Sequence, residues 1–383
     1  MANHFAVPAH VVVGTGALAE SGKFMKTYGG KALIVTGKHV VKSEMMTELK
    51  RVLDDCGIAY VVFDGITGEP TDTMIEEGVA IYRKEGCTFC IGIGGGSPLD
   101  SAKAIAAMTV NEGSIADYNG KIMTKVIPPV VAIPTTAGTG SEATMFTIIT
   151  DTKKNIKMLL KGEVLLPVLA VVDPSFTVSS PKNVTVATGL DALTHAVEAY
   201  TSKKAFSMTD TLAVSAVKRI FKYLPTACAD GTDLKAREEM ALAALEAGIC
   251  INNSSVTIVH GMSRPIGALF HVPHGISNAM LLTVCLGFAL DGTYERFGDL
   301  ARAIGAAGEN DSDAEAAKKF IEELSNLCHT CGVPTLAEYG IDKDAFFANI
   351  DKMSQDAVDS GSPGNTRKTV TVGDVKTLYE KLW

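Results

Sequence analysis

The sequence predicts two domains: an α/β nucleotide-binding domain with a parallel, Rossmann-like sheet over residues 1–181, then an all-helical metal-binding domain over residues 182–383. Three observations predict this. Apolar runs short enough to be strands alternate with helical patterns in the first half, as in a parallel sheet covered on both faces. Beyond Ser179-Ser180-Pro181 the strand signals almost vanish, and Ala-, Leu- and Glu-rich helical patterns take over. Four potential metal ligands, Asp191, His195, His260 and His274, all fall in the second half, whereas two glycine-rich loops fall in the first.

Taken in order, Val11-Val12-Val13 is an apolar N-terminal strand and Ala32 to Thr36 a β-rich run. A helix over Ser43 to Cys56 and a strand over Ala59 to Phe63 follow. Next come a helix over Met74 to Glu85 and a strand over Phe89 to Ile93. Further strands fit Val130 to Ile133 and Leu169 to Val172. In the second half the helical patterns cover Leu190 to Tyr200, Met208 to Tyr223, Ala236 to Cys250 and Ala314 to Cys328. The division places the active site in a cleft between the domains, a common location for ligand pockets.

Composition narrows the function. A chain of 383 residues, 46% hydrophobic and 20% charged, builds a large core and suits two domains. A net charge of −8 without a clustered basic surface argues against a nucleic-acid partner. Lys153-Lys154 and Lys203-Lys204 read as solvated turns. The start, MANHFAVPAH, lacks the basic and apolar segments of a signal peptide. The longest nearly uncharged run, Ala279 to Leu290, is too short for a bilayer core of roughly 30 Å. Cys87/Cys90 and Cys328/Cys331 have two-residue gaps, but the first pair sits in an apolar strand and nothing completes a four-ligand set around the second. A reduced, cytoplasmic protein is expected.

The loop Gly92-Ile93-Gly94-Gly95-Gly96-Ser97-Pro98-Leu99-Asp100 follows a strand and opens a helix. Ser97 suits an N-cap, Pro98 the first helical position and Asp100 the third. Free N–H groups at such a start bind anions, here a pyrophosphate. A second loop, Pro134 to Glu142, also follows a strand and offers Thr135, Thr136 and Thr139. Two such loops suit a dinucleotide, although neither is the usual G-x-G-x-x-G. In the helical half Asp191 and His195 share one helix face, and His260 and His274 can close on the same ion. One carboxylate and three imidazoles suit iron or zinc better than calcium.

GGGSPLDSAK, PTTAGTGSE, GLDALTHAVEAY and HGMSRPIGALFHVPHG together resemble the iron-containing, group III alcohol dehydrogenases of the dehydroquinate-synthase-like fold. The resemblance spans essentially the whole chain. It implies reversible alcohol–aldehyde oxidoreduction with NAD(P)H and one divalent ion, Fe2+ or Zn2+, held by Asp191, His195, His260 and His274. It further implies that Gly94, Gly95, Gly96, Ser97 and Asp100 hold the pyrophosphate region, with Thr135, Thr136, Thr139 and Lys157 around the nicotinamide and its ribose. The ion would act as a Lewis acid on the carbonyl oxygen as hydride arrives.

Two positions depart from the family pattern. Many members carry an aspartate after the second strand, where it binds the adenosine ribose and repels NADP. Here Gly37 and Lys38 follow that strand, so NADP should be tolerated. Four residues after His260, where the family usually has a second histidine, stands Arg264. A guanidinium there matches a carboxylate, sulfonate or phosphate. The expected substrate is therefore a short aldehyde with an anionic group, such as sulfoacetaldehyde (reduced to isethionate) or a semialdehyde acid. An arginine paired with Glu198 or Asp210 is the competing reading. With that histidine missing, proton transfer falls to His271, a ribose hydroxyl or water. A neutral-substrate enzyme acting on 1,3-propanediol, lactaldehyde or butanol is the alternative, and a homodimer is the expected assembly. A lyase of the dehydroquinate-synthase type would need many more basic groups around its phosphorylated substrate.

Overall fold

The computed structural model describes residues 2–383. They form two compact units: Ala6–Ser179, and Ser180–Trp383 together with the N-terminal residues up to Phe5.

The first unit runs β1 (His10–Val13), α1 (Ala17–Met25), β2 (Lys31–Val35), α2 (Lys38–Val41), α3 (Glu44–Asp55), β3 (Ala59–Phe63), α4 (Asp72–Glu85), β4 (Phe89–Gly94) and α5 (Gly96–Val110). It continues through β5 (Val130–Pro134), β6 (Phe146–Asp151), β7 (Ile156–Lys161) and β8 (Leu169–Val172). Six strands pair in the order β1-β8-β5-β4-β2-β3, all parallel. Alternation along β2 fills both faces of the sheet. Ala32 and Ile34 pack with Leu18, Met25, Met46 and Leu49 of α1 and α3, whereas Leu33 and Val35 pack with Ile75, Val79 and Ile105 of α4 and α5. This is why the strands read as continuous apolar runs. From β2 the chain steps to β3 on one side and then to β4 on the other. The carboxyl ends of β2 and β4 therefore flank a topological switch point, where open α/β sheets take ligands.

Local chemistry explains the helix boundaries. Ser43 accepts from the Met46 N–H and starts α3, and Thr71 accepts from the Met74 N–H and starts α4. The β6–β7 hairpin was not expected from the sequence. Its pairing runs antiparallel from Phe146↔Lys161 to Asp151↔Ile156. The lysines that read as a solvated turn are that turn: Asp151 Oδ1 accepts from the N–H groups of Lys153 and Lys154. Met158 and Leu160 are buried while Lys157, Leu159 and Lys161 face outward, an alternation that could have disclosed the strand.

The second unit comprises α6 (Lys182–Thr201), α7 (Ser207–Ala229), α8 (Leu234–Ser254), α9 (Ile258–Phe270), α10 (His274–Ala289), α11 (Tyr294–Ala303), α12 (Asp313–Cys331), α13 (Leu336–Tyr339), α14 (Lys343–Asp359) and α15 (Val372–Glu380). Ser312 and Glu315 form a capping box that starts α12, and Gly332 ends it in the left-handed region at φ 73°. Residues Gly189 to Thr201 of α6 are all buried, so Asp191, Thr194, His195 and Glu198 lie inside the protein. His274–Gly292 is, among the described residues, one helix long and apolar enough to cross a membrane by length and composition. Five of its residues, Ser277, Asn278, Leu281, Leu282 and Cys285, are fully buried within the helical unit. All eight cysteines carry free thiols.

Candidate active site

Three helices of the second unit bring the four expected ligands together. Asp191 and His195 sit one turn apart on α6, His260 lies in the first turn of α9, and His274 opens α10. One ligand atom from each falls within 4.8 Å of the others. The Nε2 atoms of His195, His260 and His274 lie 3.8, 3.9 and 3.7 Å from the same oxygen, Asp191 Oδ1. His195 and His260 stack with ring centroids 4.8 Å apart. Asp191, His195 and His260 are buried, and the His274 side chain keeps 41% of its exposure.

Electrostatics tune this group for a cation. Burial works to raise the Asp191 carboxyl, but the imidazoles of His195, His274 and His260 and a bond from Asn278 outweigh it and hold it below its ordinary value. Burial, then the neighbouring His195 and His274, push His260 well below its ordinary value, so it is a neutral imidazole at pH 7. An ionised carboxylate and neutral imidazole lone pairs converging on one point fit a divalent ion chemically.

Two residues that hold this set were not assigned to it from the sequence. Glu198, fully buried, accepts from the Thr257 hydroxyl at 2.8 Å and the Val259 N–H at 2.7 Å, and its Oε2 lies 2.5 Å from His260 Nδ1. With its proton on Nδ1, His260 turns the Nε2 lone pair toward Asp191. Asn278 donates from Nδ2 to Asp191 Oδ1 at 2.7 Å, and that nitrogen lies 3.3 Å from His260 Nε2 and 3.2 Å from His274 Nε2. Spacing held the signal: Glu198 is seven residues beyond Asp191 on one helix face, and Asn278 is four beyond His274.

Arg264 lies one turn beyond His260 on α9 and donates from Nη1 to Ser362 Oγ at 3.1 Å. It pairs with neither carboxylate considered for it. Asp210 is bound by Arg296, and both Glu198 oxygens are taken by Thr257, Val259 and His260. Burial pushes the guanidinium down from its ordinary value, opposed by the Glu198 charge. His271 is the left-handed C-cap of α9 at φ 55°, with an exposed side chain. That cap accounts for its position without reference to proton transfer.

In the first unit the two glycine-rich loops meet. Helix α5 begins at Gly96 with Gly95 as N-cap, not at Ser97, and no side chain caps it. Ser97 and Pro98 are therefore the second and third helical residues. Pro98 is accommodated because the first-turn N–H groups have no intrahelical partner, and its ring packs over Gly94, where a Cβ would lie 2.7 Å from Pro98 Cγ. The uncapped N–H groups remain a ready anion site. A Cβ on Gly96 would lie 2.9 Å from Thr139 Cγ2, so glycine is what lets the second loop approach the first. The Thr135 N–H donates to Gly94 O at 2.8 Å, and Thr136 is the nearest side chain to Gly95.

Asp100 braces the second loop instead of facing an anion. Ser141 Oγ donates to its Oδ1 at 2.5 Å and the Ile148 N–H to its Oδ2 at 2.9 Å. Lys103, fully buried one turn on, donates to Ser141 Oγ, Thr144 Oγ1 and Phe146 O at 2.8, 3.0 and 3.1 Å. Lys157 stands on β7 and pairs with Glu69 at 2.6 Å. Gly37 caps the short α2 at the carboxyl end of β2, and Lys38 beside it is exposed. The glycine-rich loop after β4 and the Gly37-Lys38 pair after β2 thus flank the switch point from either side.

Comparison with known proteins agrees with this geometry. The family model for iron-containing alcohol dehydrogenase matches residues 8–174, and that for the C-terminal region of the Fe-containing alcohol dehydrogenase family matches residues 185–383. The chain is 38% identical to an NAD-dependent methanol dehydrogenase of Bacillus methanolicus over 383 residues, covering 99% of each. A solved 1,3-propanediol oxidoreductase superposes with a TM-score of 0.96 at 34% identity, covering 100% of both chains. A sulfoacetaldehyde reductase from Bifidobacterium kashiwanohense, solved in complex with NAD+, superposes at 0.89 with 29% identity, covering 100% of this chain and 99% of that one. This chain belongs to the iron-containing alcohol dehydrogenase family.

Proposed function

We propose that the protein is a metal-dependent alcohol dehydrogenase working chiefly as an aldehyde reductase, with a short anionic aldehyde as substrate. Membership of an alcohol dehydrogenase family supports hydride exchange between a nicotinamide dinucleotide and an alcohol or aldehyde. Asp191, His195, His260 and His274 hold the divalent ion, which when bound polarises the substrate oxygen as a Lewis acid. Glu198 keeps His260 in the tautomer that offers Nε2. The uncapped start of α5 takes the pyrophosphate, and Thr135, Thr136 and Thr139 line the loop beside it, braced by Asp100 and Lys103. With Gly37 in place of an acidic residue and Lys38 exposed, no carboxylate directly follows β2 to repel a 2′-phosphate, so NADPH serves as well as NADH.

One observation carries the substrate class: Arg264, one turn from a metal-ligand histidine, has a hydroxyl as its hydrogen-bond partner and no carboxylate. A guanidinium drawn partly out of water is costly unless an anion meets it, and Arg264 is half-buried. A carboxylate or sulfonate on the substrate supplies that anion, and a sulfoacetaldehyde reductase lies among the structural relatives. The test is a panel of sulfoacetaldehyde, succinate semialdehyde, propanal and butanal with NADH and NADPH. The anionic aldehydes should give the higher kcat/KM, and the two cofactors should differ by less than about tenfold, the effect of one polar contact. Higher kcat/KM for propanal and butanal would reassign the enzyme to neutral substrates.

A further inference from the structure

The turn between α8 and α9 holds a serine where glycine alone is at ease. Ser255 takes φ 100° and ψ 165°, a backbone region that a Cβ makes costly. The other two non-glycine residues with positive φ among the described residues, Asn155 at 52° and His271 at 55°, lie near the φ of the common left-handed well. The strain serves a sharp change of direction, 103° from α8 to α9. A strained backbone persists only where its surroundings over-determine it.

What the turn delivers is a set of donors for Glu198. Thr257, two residues on, is the N-cap of α9, yet its hydroxyl makes no capping bond. It donates instead to Glu198 Oε1 at 2.8 Å, joined there by the Val259 N–H at 2.7 Å. Those bonds fix the carboxylate whose other oxygen meets His260 Nδ1. The course of the turn therefore sets the orientation of a metal-ligand histidine. Were Ser255 to relax to a negative φ, Thr257 and the first turn of α9 would swing away from Glu198.

A side chain from far along the chain meets this turn. Asn365, in the segment 360–366 between α14 and α15, donates from Nδ2 to Ser255 Oγ at 3.1 Å and to Val256 O at 3.0 Å. Serine in place of glycine thus gives the asparagine one of its two acceptors. The segment itself is held by other bonds. The Lys203 N–H donates to Asn365 O at 2.9 Å, and the backbones of Ser202 and Thr366 form an antiparallel bridge. Loss of the Asn365 side chain therefore frees the turn without freeing the segment.

We propose that Asn365 is a positioning residue for the metal site, acting through the strained turn at Ser255 on Glu198 and so on His260. The proposal rests on the metal-binding reading of Asp191 and the three histidines and adds to it a residue outside the helices that carry them.

The test uses Asn365→Ala and Asn365→Leu, the second close to asparagine in shape but without a donor, each in the wild-type and Ser255→Gly backgrounds. Two quantities are read: Co2+ affinity by titration of the chelator-stripped protein, and amide hydrogen exchange of residues 255–261 with no ion present. In the wild-type background both variants should bind Co2+ about tenfold more weakly, the lower end of the loss on removing a residue that orients a ligand. Their amides should exchange about fivefold faster or more, as two lost neutral hydrogen bonds imply. Ser255→Gly removes the strain, so in that background the same changes should cost less than about threefold in affinity. Affinity and exchange unchanged in both Asn365 variants would overturn the pin, and equal losses in the two backgrounds would overturn its action through strain. Failure of the wild-type protein itself to bind one Co2+ would instead overturn the metal-site reading, while the exchange rates still pass or fail the pin.

Discussion

Arg264→Met removes the guanidinium and keeps a side chain of comparable length, so it separates charge from packing. A hydrogen bond from a charged donor contributes about 1.5–3 kcal/mol, or about 10- to 150-fold in kcat/KM. Loss of one such bond to the anionic end of the substrate should lower kcat/KM for sulfoacetaldehyde or succinate semialdehyde by that factor. Propanal has no group for Arg264 to meet, and its kcat/KM should stay within about threefold. The structure adds a second readout. Since Arg264 gives up only its bond to Ser362 Oγ, 3.1 Å long, and no ion pair, the variant should lose no more stability than that one charged-donor bond is worth, about 3 kcal/mol at most. Relief of the half-buried charge offsets part of that loss in melts without substrate. Steady-state kinetics on both aldehyde classes and thermal melts test the two halves. Equal losses on propanal and the anionic aldehydes, or destabilisation of several kcal/mol, would refute the reasoning, because either means Arg264 serves the fold.

Two further perturbations address the residues around the site. Glu142 is 2% exposed, and burial pushes its carboxyl up to about 7 from 4.5, against its own N–H bond and the Lys103 charge. Between these values the folded state binds the proton more firmly than the unfolded one, so this group's contribution falls as pH rises from about 4.5 to about 7, by about 3 kcal/mol in all. Glu142→Gln should cancel that fall, so its stability relative to wild type rises by about this amount between pH 4.5 and 8 in chemical denaturation; parallel profiles would rule the assignment out. Glu198→Gln keeps the Thr257 and Val259 bonds but sets an amide hydrogen against His260 Nδ1, driving the proton to Nε2. Affinity for Zn2+ or Fe2+ should drop about 10- to 100-fold by titration against a chelator, and an unchanged affinity would mean that Glu198 does not orient His260.

Much of this architecture was legible because periodicity and ligand type speak directly. The strands at Ala59–Phe63 and Leu169–Val172 and the quartet of Asp191, His195, His260 and His274 stand where the sequence placed them. What escaped has physical reasons. The start of α5 moved from Ser97 to Gly95 because the first helical residue, Gly96, leaves room for Thr139 while Gly95 takes the extended cap geometry, a tertiary demand that cap preferences do not encode. The β6–β7 hairpin left only a short alternation, buried Met158 and Leu160 between exposed Lys157, Leu159 and Lys161. Asp100 looked like part of the anion site, but its acceptors were already committed to Ser141 and Ile148, residues 41 and 48 positions away. Glu198 stood beside Asp210 as the competing partner for Arg264 because sequence spacing shows which residues share a face and not which donor wins a carboxylate.

The central claim is that one divalent ion, held by Asp191, His195, His260 and His274, drives the reduction. The most direct measurement strips the protein with a chelator and follows NADH oxidation by sulfoacetaldehyde as Fe2+ or Zn2+ is added back, with His260→Ala alongside. Activity should vanish on stripping and return in full at one equivalent of ion per chain, while His260→Ala stays inactive under the same titration. Full turnover by the stripped protein, or by His260→Ala without added ion, would contradict the account.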